Sequence, residues 1–287
     1  MSIYRSRAGK ARMLAVYDAA ADRLGVDIDE RRVETRHGST HLLVAGPPDG
    51  PPVIVFHGSN ATNPMTLAWY TGLADDYRLI APDTIGQPGK SAETRVDPNG
   101  SGYGEWTVDI LDALDIASAS MIGTSYGAGI VLRTAAVAPE RIDRAALVVP
   151  AGFGTGSLAS ILRVGLPAAL YRLIPRDRLL DRVCSAMVTR PGSNPVVRDT
   201  IAASLRYVDL ERAFPQATAA ELERFTAPVT LVVAENDPFF PPDEIVPRAR
   251  DRLQSLSRVE CIPGEKHILS PPAQRRVTGV IREFCSG

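Results

Sequence analysis

Residues 119–138 read ASMIGTSYGAGIVLRTAAVA, the segment with the most informative pattern in the sequence. Its first four residues are typical of a strand and residues 128–138 of a helix, so the sequence GTSYG at 123–127 lies at a sharp strand-to-helix turn. Such a turn presents a side chain above the strand end only if its neighbours lack bulk, a condition that Gly123 and Gly127 meet. The pattern therefore predicts that Ser125 is a nucleophile.

Eight short β-rich runs recur along the chain, and several are continuously apolar, as in strands with helices on both faces. They read RRVETR, THLLVAG, PVIVFHG, YRLIAPD, ASMIG, RAALVVPAG, VTLVVAEND and RVECIPG. The later runs alternate with helical patterns, such as 105–116 and 127–138, whereas the first two are split by Gly38 and Ser39 as in an antiparallel hairpin. We predict an α/β fold with a mostly parallel, eight-stranded sheet and helices on both faces.

Between Pro150 and Phe225 no strand pattern appears, and apolar residues recur at helical spacing instead. This apolar stripe consists of Leu158, Ile161, Leu162, Leu166, Ala169, Leu170 and Leu173. We expect most of the stripe to pack on the body and a minority to line a pocket, with Pro167 opening a second helix. The predicted core domain spans 1–151 and 226–287, with an N-terminal helix at 8–24, and a helical cap is inserted at 152–225.

The composition is that of a globular protein, with 45% hydrophobic and 23% charged residues. A net charge of -1 favours neither nucleic acid nor an anionic membrane as a partner. Three widely spaced cysteines indicate a reducing compartment, and no segment approaches the ~18 to 20 apolar residues of a membrane span. We expect a cytoplasmic protein that acts on a small molecule without metal, cofactor or stable membrane insertion; homodimer formation stays open.

A serine hydroxyl needs an adjacent base to accept its proton, and imidazole is suited to that role. His37 and His41 lie in the predicted hairpin, where an exposed or packing role is the default. His57 ends the run PVIVF, which indicates a structural or oxyanion-loop position. His267 follows the run RVECIPG and precedes the last helix, so it is the predicted base.

The base must be oriented by a carboxylate. Asp237 ends the buried run VTLVVAEN and opens the turn DPFFP, which gives the chain order nucleophile, acid, base. Asp83 also ends a strand, but it precedes the nucleophile and is interpreted as a turn or helix-capping residue. Glu235 and Glu265 remain weaker alternatives for the acid.

Negative charge that develops on the substrate needs two backbone N–H donors, an oxyanion hole. One donor is predicted to be Tyr126, directly after the nucleophile, and the other to come from the loop HGSN at 57–60. Ser59 is favoured there, with Asn60 as the alternative. Gly58 and Asn60 are also expected to contact substrate.

With HGSN, GTSYG, AENDPFFP and GEKHIL in these positions, the chain resembles the α/β-hydrolase superfamily from about residue 33 to its end. The stretch YRLIAPDTIGQPGKS at 77–91 is similar to lidded bacterial carboxylesterases, whose members carry a comparable N-terminal helix. The resemblance implies hydrolysis of a carboxylic ester through an acyl-enzyme. Many esterases have two glycines after the histidine, whereas Ser59 and Asn60 follow Gly58 here, so the amide that completes the hole stays open.

The expected function is therefore a serine hydrolase that cleaves a small, largely apolar carboxylic ester with water and a Ser-His-Asp triad. Alternatives are a cofactor-free perhydrolase or a carbon-carbon bond hydrolase with the same triad, and a non-catalytic ligand-binding receptor on the same fold. The sequence GQPGKS at 86–91 ends like the nucleotide-binding motif G-x-x-x-x-G-K-[ST], but that interpretation is excluded. The first glycine of the motif would be position 84, which is Thr84, and Pro88 removes a backbone amide that would bind phosphate.

Overall fold

Eight strands form one sheet in the computed structural model, which describes residues 2–287. The strands are β1 Asp29–Thr35, β2 Gly38–Ala45, β3 Pro52–Phe56, β4 Arg78–Pro82, β5 Ala119–Thr124, β6 Ile142–Val148, β7 Val229–Ala234 and β8 Leu256–Ile262. Their spatial order is β1-β2-β4-β3-β5-β6-β7-β8, and β2 alone runs antiparallel to its neighbours. The predicted mostly parallel, eight-stranded sheet and its N-terminal hairpin are confirmed.

Helices cover both faces of this sheet. They are α1 Arg7–Ala21, α2 Asn63–Leu67, α3 Gly102–Ala113, α4 Tyr126–Val137, α5 Leu158–Leu173, α6 Asp177–Met187, α7 Pro195–Tyr207, α8 Pro242–Arg252 and α9 Pro271–Ser286. Strand β3 shows why its sequence is continuously apolar: Val53 and Val55 join one buried cluster, whereas Ile54 and Phe56 join another. Successive side chains of a strand point to opposite faces, so both faces need apolar residues.

The first helix is anchored to the sheet by a buried polar network around Asp83. Helix α1 occupies Arg7–Ala21, where the sequence pattern predicted 8–24. Tyr17 on α1 donates a hydrogen bond of 2.9 Å to one Asp83 oxygen, and the backbone N–H of Lys90 donates one of 2.7 Å to the other. The buried His41 ring on β2 lies 3.1 Å from Asp83. The interpretation of Asp83 as a turn or capping residue is wrong: its carboxylate joins three segments inside the protein.

Helices α5, α6 and α7 lie between β6 and β7, and α5 packs on α6 and α7. Pro167 lies inside α5, so the prediction that it opens a second helix is wrong. An interior proline costs about 3 kcal/mol in lost hydrogen bonding and steric clash. The helix nevertheless runs without a break from Leu158 to Leu173, with Val164 and Tyr171 buried on either side of the proline.

The apolar stripe of α5 faces away from the body. Leu158, Leu162, Leu166, Leu170 and Leu173 are all exposed, with relative accessibilities of 41% to 79%. The expectation that most of the stripe packs on the protein is therefore wrong. The buried side chains of α5 are instead Val164 and Tyr171, which lie on its opposite side.

None of the helices within residues 2–287 combines the length and apolar character needed to cross a lipid bilayer.

Candidate active site

Ser125 is the single residue between the end of β5 and the start of α4, and its backbone is strained. Its φ is 54° and its ψ is -116°, a combination that non-glycine residues rarely adopt. The turn has no room for side chains beside it: a Cβ at Gly123 would lie 2.5 Å from backbone atoms of Ala128, and one at Gly127 would lie 2.3 Å from the Phe56 carbonyl oxygen. The two glycines are therefore required sterically, as the sequence indicated.

The structure brings Ser125, His267 and Asp237 together in one hydrogen-bonded chain. His267 Nε2 lies 3.1 Å from Ser125 Oγ, and His267 Nδ1 lies 2.8 Å from Asp237 Oδ2. All three residues are buried. The second oxygen of Asp237 accepts hydrogen bonds of 2.8 Å and 3.1 Å from the backbone N–H groups of Phe239 and Phe240. Each Asp237 oxygen is thus directed, one to the imidazole and one to the following turn.

Fold topology explains this convergence. Ser125 follows β5, Asp237 follows β7 and His267 follows β8, and these strands are parallel members of the same sheet. The carboxyl ends of parallel strands share one edge, where ligand sites of open α/β sheets lie. Residues 142 positions apart therefore meet within hydrogen-bond distance.

The two alternative acids serve the loop that carries His267. Glu235 accepts a hydrogen bond of 2.7 Å from the Gly264 backbone N–H. Glu265 accepts hydrogen bonds of 2.7 Å and 2.6 Å from the N–H and hydroxyl of Ser270. Among the described residues, Asp237 is the carboxylate bonded to the His267 ring.

The loop 57–60 passes directly over Ser125. A Cβ built on Gly58 would lie 3.5 Å from the Ser125 Cβ. The next residue, Ser59, has a backbone N–H without a hydrogen-bond partner among residues 2–287. Across the site, Tyr126 begins α4, where a backbone N–H has no acceptor within its own helix. Two amides that could stabilise an oxyanion thus flank the serine.

The backbone and the side-chain amide of Asn60 are both hydrogen-bonded to other parts of the protein. Its backbone N–H donates a hydrogen bond of 2.8 Å to Gln87 Oε1, and its carbonyl accepts one from the Ser204 hydroxyl. Its side-chain Nδ2 donates a hydrogen bond of 3.0 Å to the Glu211 carbonyl, and its Oδ1 accepts one of 2.8 Å from the Glu211 N–H. The sequence did not reveal these partners, because they lie 27 to 151 positions away in segments without a motif.

One buried imidazole and two buried phenols make hydrogen bonds beside the site. His57 accepts a hydrogen bond of 3.0 Å from the Thr84 N–H, and burial lowers the pKa of its imidazole, which favours the neutral form. The Tyr126 hydroxyl lies 2.9 Å from that of Tyr103, and burial raises the pKa of Tyr103 to about 12. His57 therefore has a structural role, one of the two that the sequence left open.

Ser125 and His267 face a cavity of about 280 Å³ between the sheet edge and α5 to α7. Its walls are mainly apolar, and they include Ala61, Met65, Trp69, Val164, Ala168, Val183, Met187, Ile201, Leu205, Leu210, Phe214, Phe239, Phe240 and Ile268. Gly58, Ser59, Asn60, Ser125 and His267 also line it. Within residues 2–287, no group of three His, Cys, Asp or Glu side chains is placed to hold a metal ion.

These features define an α/β hydrolase, and a family model described as "Alpha/beta hydrolase family" matches residues 53–281. The chain belongs to this family. It is 27% identical over 257 residues to the "Uncharacterized carboxylesterase nap" of Bacillus subtilis (strain 168). That match covers 83% of this chain and 80% of the relative. It is 24% identical over 287 residues to carboxylesterase YbfK of the same strain, covering 96% and 94%.

Among solved structures, the naproxen esterase (carboxylesterase NP) of Bacillus subtilis superimposes with a TM-score of 0.84. The match covers 98% of this chain and 99% of that one at 23% identity, and at that identity it shows the shared fold. The prediction of an α/β hydrolase that resembles bacterial carboxylesterases is confirmed.

Proposed function

We propose that the protein hydrolyses carboxylic esters of small, largely apolar substrates through an acyl-enzyme on Ser125. The hydrogen-bonded chain Asp237–His267–Ser125, which ends in an apolar cavity, is the observation that carries this proposal. The carboxylesterase names of the two relatives support the choice of ester as the bond class.

Acylation begins at Ser125. His267 Nε2 accepts the hydroxyl proton while Oγ attacks the ester carbonyl, because a neutral serine is a weak nucleophile. Asp237, an acceptor when ionised, keeps the proton of the neutral ring on Nδ1 and stabilises the imidazolium that forms. The amides of Tyr126 and Ser59 then donate to the oxyanion, each contributing about 10²- to 10³-fold in rate.

Loss of the alcohol completes acylation: His267 gives its proton to the departing alkoxide oxygen, so the alcohol leaves neutral and the acyl group remains on Ser125. Deacylation then repeats the sequence with water. His267 accepts a proton from water, which attacks the acyl carbonyl. Collapse of this second intermediate returns the proton to Ser125 Oγ and releases the carboxylic acid.

We assign the second oxyanion donor to Ser59 rather than Asn60. The Asn60 N–H is already bonded to Gln87, whereas the Ser59 N–H has no partner among the described residues. Gly58, which faces Ser125, is assigned a direct contact with substrate. Asn60 lines the same cavity, but its hydrogen bonds to Glu211 make it a clamp between the loop and the segment after α7.

We further propose that residues 152–225 form a cap on a core of residues 1–151 and 226–287. The inserted helices contribute Val164, Val183 and Leu205 to the cavity, so the cap selects the substrate. The cavity of about 280 Å³ lies near the lower end of the range for small-molecule sites, which favours short esters. Cys184, Cys261 and Cys285 are all free thiols, which suits the cytoplasmic location that we propose.

Replacement of the nucleophile tests the proposal. In Ser125→Ala, kcat/KM for p-nitrophenyl acetate should fall by about 10³- to 10⁶-fold, because the residual rate comes only from binding and the oxyanion hole. The exposed Ser101→Ala is the matched control and should retain wild-type turnover. Wild-type hydrolysis by Ser125→Ala would refute the assignment.

A further inference from the structure

Every large hydrophobic side chain that is exposed within residues 2–287 lies in one short segment. The six are Leu158, Leu162, Leu166, Leu170, Leu173 and Ile174, which we call the α5 ridge. A cluster of this kind marks an interaction surface more often than scattered apolar residues do.

The ridge is distinct from the face of α5 that serves the active-site cavity. Val164 and Ala168 line the cavity, and Tyr171 is buried. With 3.6 residues per turn, these three positions lie on the opposite side of the helix from Leu162 and Leu166. Both sides of α5 are therefore apolar: the inner side is packed against the cavity, whereas the outer side leaves its leucines exposed within residues 2–287.

Basic side chains accompany the ridge, and two of them, Arg163 and Arg182, line one surface groove with Leu162, Leu166 and Leu170. Five arginines lie on α5, on α6 or between them: Arg163, Arg172, Arg176, Arg178 and Arg182. None of the five has a carboxylate within 4.0 Å among the described residues. The acids of this segment, Asp177 and Asp181, are both paired with Arg198, at 3.1 Å and 2.5 Å. Residues 158–182 thus carry five basic and two acidic side chains, a surplus of three positive charges in a chain of net charge -1.

We propose that the α5 ridge docks on an anionic lipid–water interface. Exposed leucines flanked by arginines are the combination that binds such an interface, because the apolar side chains enter the headgroup region while the guanidinium groups pair with lipid phosphates. A second copy of the chain fits less well, since a two-fold contact across the ridge would bring unpaired arginines of both copies together. The anionic surface supplies the complementary charge.

Docking in this way places the cap, and the cavity behind it, against the lipid surface without any segment crossing the bilayer. It goes beyond the proposed hydrolysis, and it is measurable in a protein that has no nucleophile. The Ser125→Ala background prevents turnover of lipid during the experiment.

Vesicle sedimentation tests the proposal. The Ser125→Ala protein should co-sediment with vesicles of one part phosphatidylglycerol to two parts phosphatidylcholine, and about 10-fold less with pure phosphatidylcholine. Adding Leu162→Ser and Leu166→Ser should abolish binding, and these exposed positions should tolerate the change. High salt should weaken binding, because surface electrostatic attraction is screened.

A charge-matched pair separates specific docking from general basicity. Arg178→Glu with Arg182→Glu should reduce binding strongly, whereas Arg224→Glu with Arg275→Glu, an equal charge change outside α5 and α6, should reduce it little. Absence of binding to the phosphatidylglycerol vesicles would overturn the proposal. So would a concentration-dependent dimer in analytical ultracentrifugation that dissociates in the leucine variant, because a second copy would then cover the ridge.

Discussion

The carboxyl edge of the sheet and helix α5 form opposite walls of the same cavity, yet they are specified in different ways. At the sheet edge, local backbone geometry fixes residue identity: Gly123 and Gly127 have no space for a Cβ, and Ser125 adopts a strained φ of 54°. On α5, both Val164 and Leu166 are apolar, although one faces the cavity and the other faces outward. Residue identity around Ser125 is thus strongly constrained by backbone geometry, whereas on α5 an apolar side chain satisfies either face.

The sheet edge is expected to give the largest effects. In Asp237→Asn, kcat should fall by about 10⁴-fold, because an amide no longer holds the imidazole in the tautomer that accepts the Ser125 proton. Glu235→Gln, which changes a nearby exposed carboxylate, should stay within about two-fold of wild type. Steady-state hydrolysis of p-nitrophenyl acetate measures both, and equal losses in the two variants would remove the special position of Asp237.

The two faces of α5 should differ in their effect on substrate choice. Val164→Trp fills part of the cavity, so kcat/KM for a p-nitrophenyl octanoate should drop about 10-fold relative to the acetate. Leu166→Trp adds the same side chain to the outer face and should leave this ratio unchanged. An acyl chain-length series on both variants gives the answer. A similar shift in selectivity for both variants would show that the outer face also shapes the cavity.

The connection between the inserted helices and the core should show a small, pH-dependent effect. Glu221 accepts hydrogen bonds from the Thr218 N–H at 2.9 Å and from Arg133 on α4 at 2.7 Å. These contacts lower the pKa of Glu221 from 4.5 to about 2, and the hydrogen bond from the Thr218 N–H has the largest effect. Because the folded-state pKa is lowered, the stabilisation is complete above about pH 4.5 and is lost as the pH falls toward 2.

Glu221→Gln should therefore lower the free energy of unfolding by about 1 kcal/mol or less at neutral pH, a modest value because the carboxylate is partly exposed. The difference from wild type should shrink below about pH 4. Urea unfolding across this range measures it, with the exposed Glu223→Gln as control. A difference that stays constant with pH would mean that the charge of Glu221 contributes nothing.

Sequence patterns predicted the sheet and the candidate triad because both depend on local rules. Apolar runs mark strands that are covered on both faces, and parallel strand ends bring Ser125, Asp237 and His267 to one edge. The orientation of α5 could not be predicted in this way, because helical periodicity shows that apolar faces exist but does not indicate which one turns inward. The roles of Asp83 and Asn60 depend on contacts far apart in sequence, which no local pattern reports.

Covalent labelling of the folded protein with a fluorophosphonate tests the central claim most directly, because the probe reacts with an activated serine rather than with serines in general. Peptide mapping by mass spectrometry should locate a single adduct on Ser125, and His267→Ala should label far more slowly. An adduct at another serine, or none in the folded wild-type protein, would contradict the assignment of Ser125 as the nucleophile.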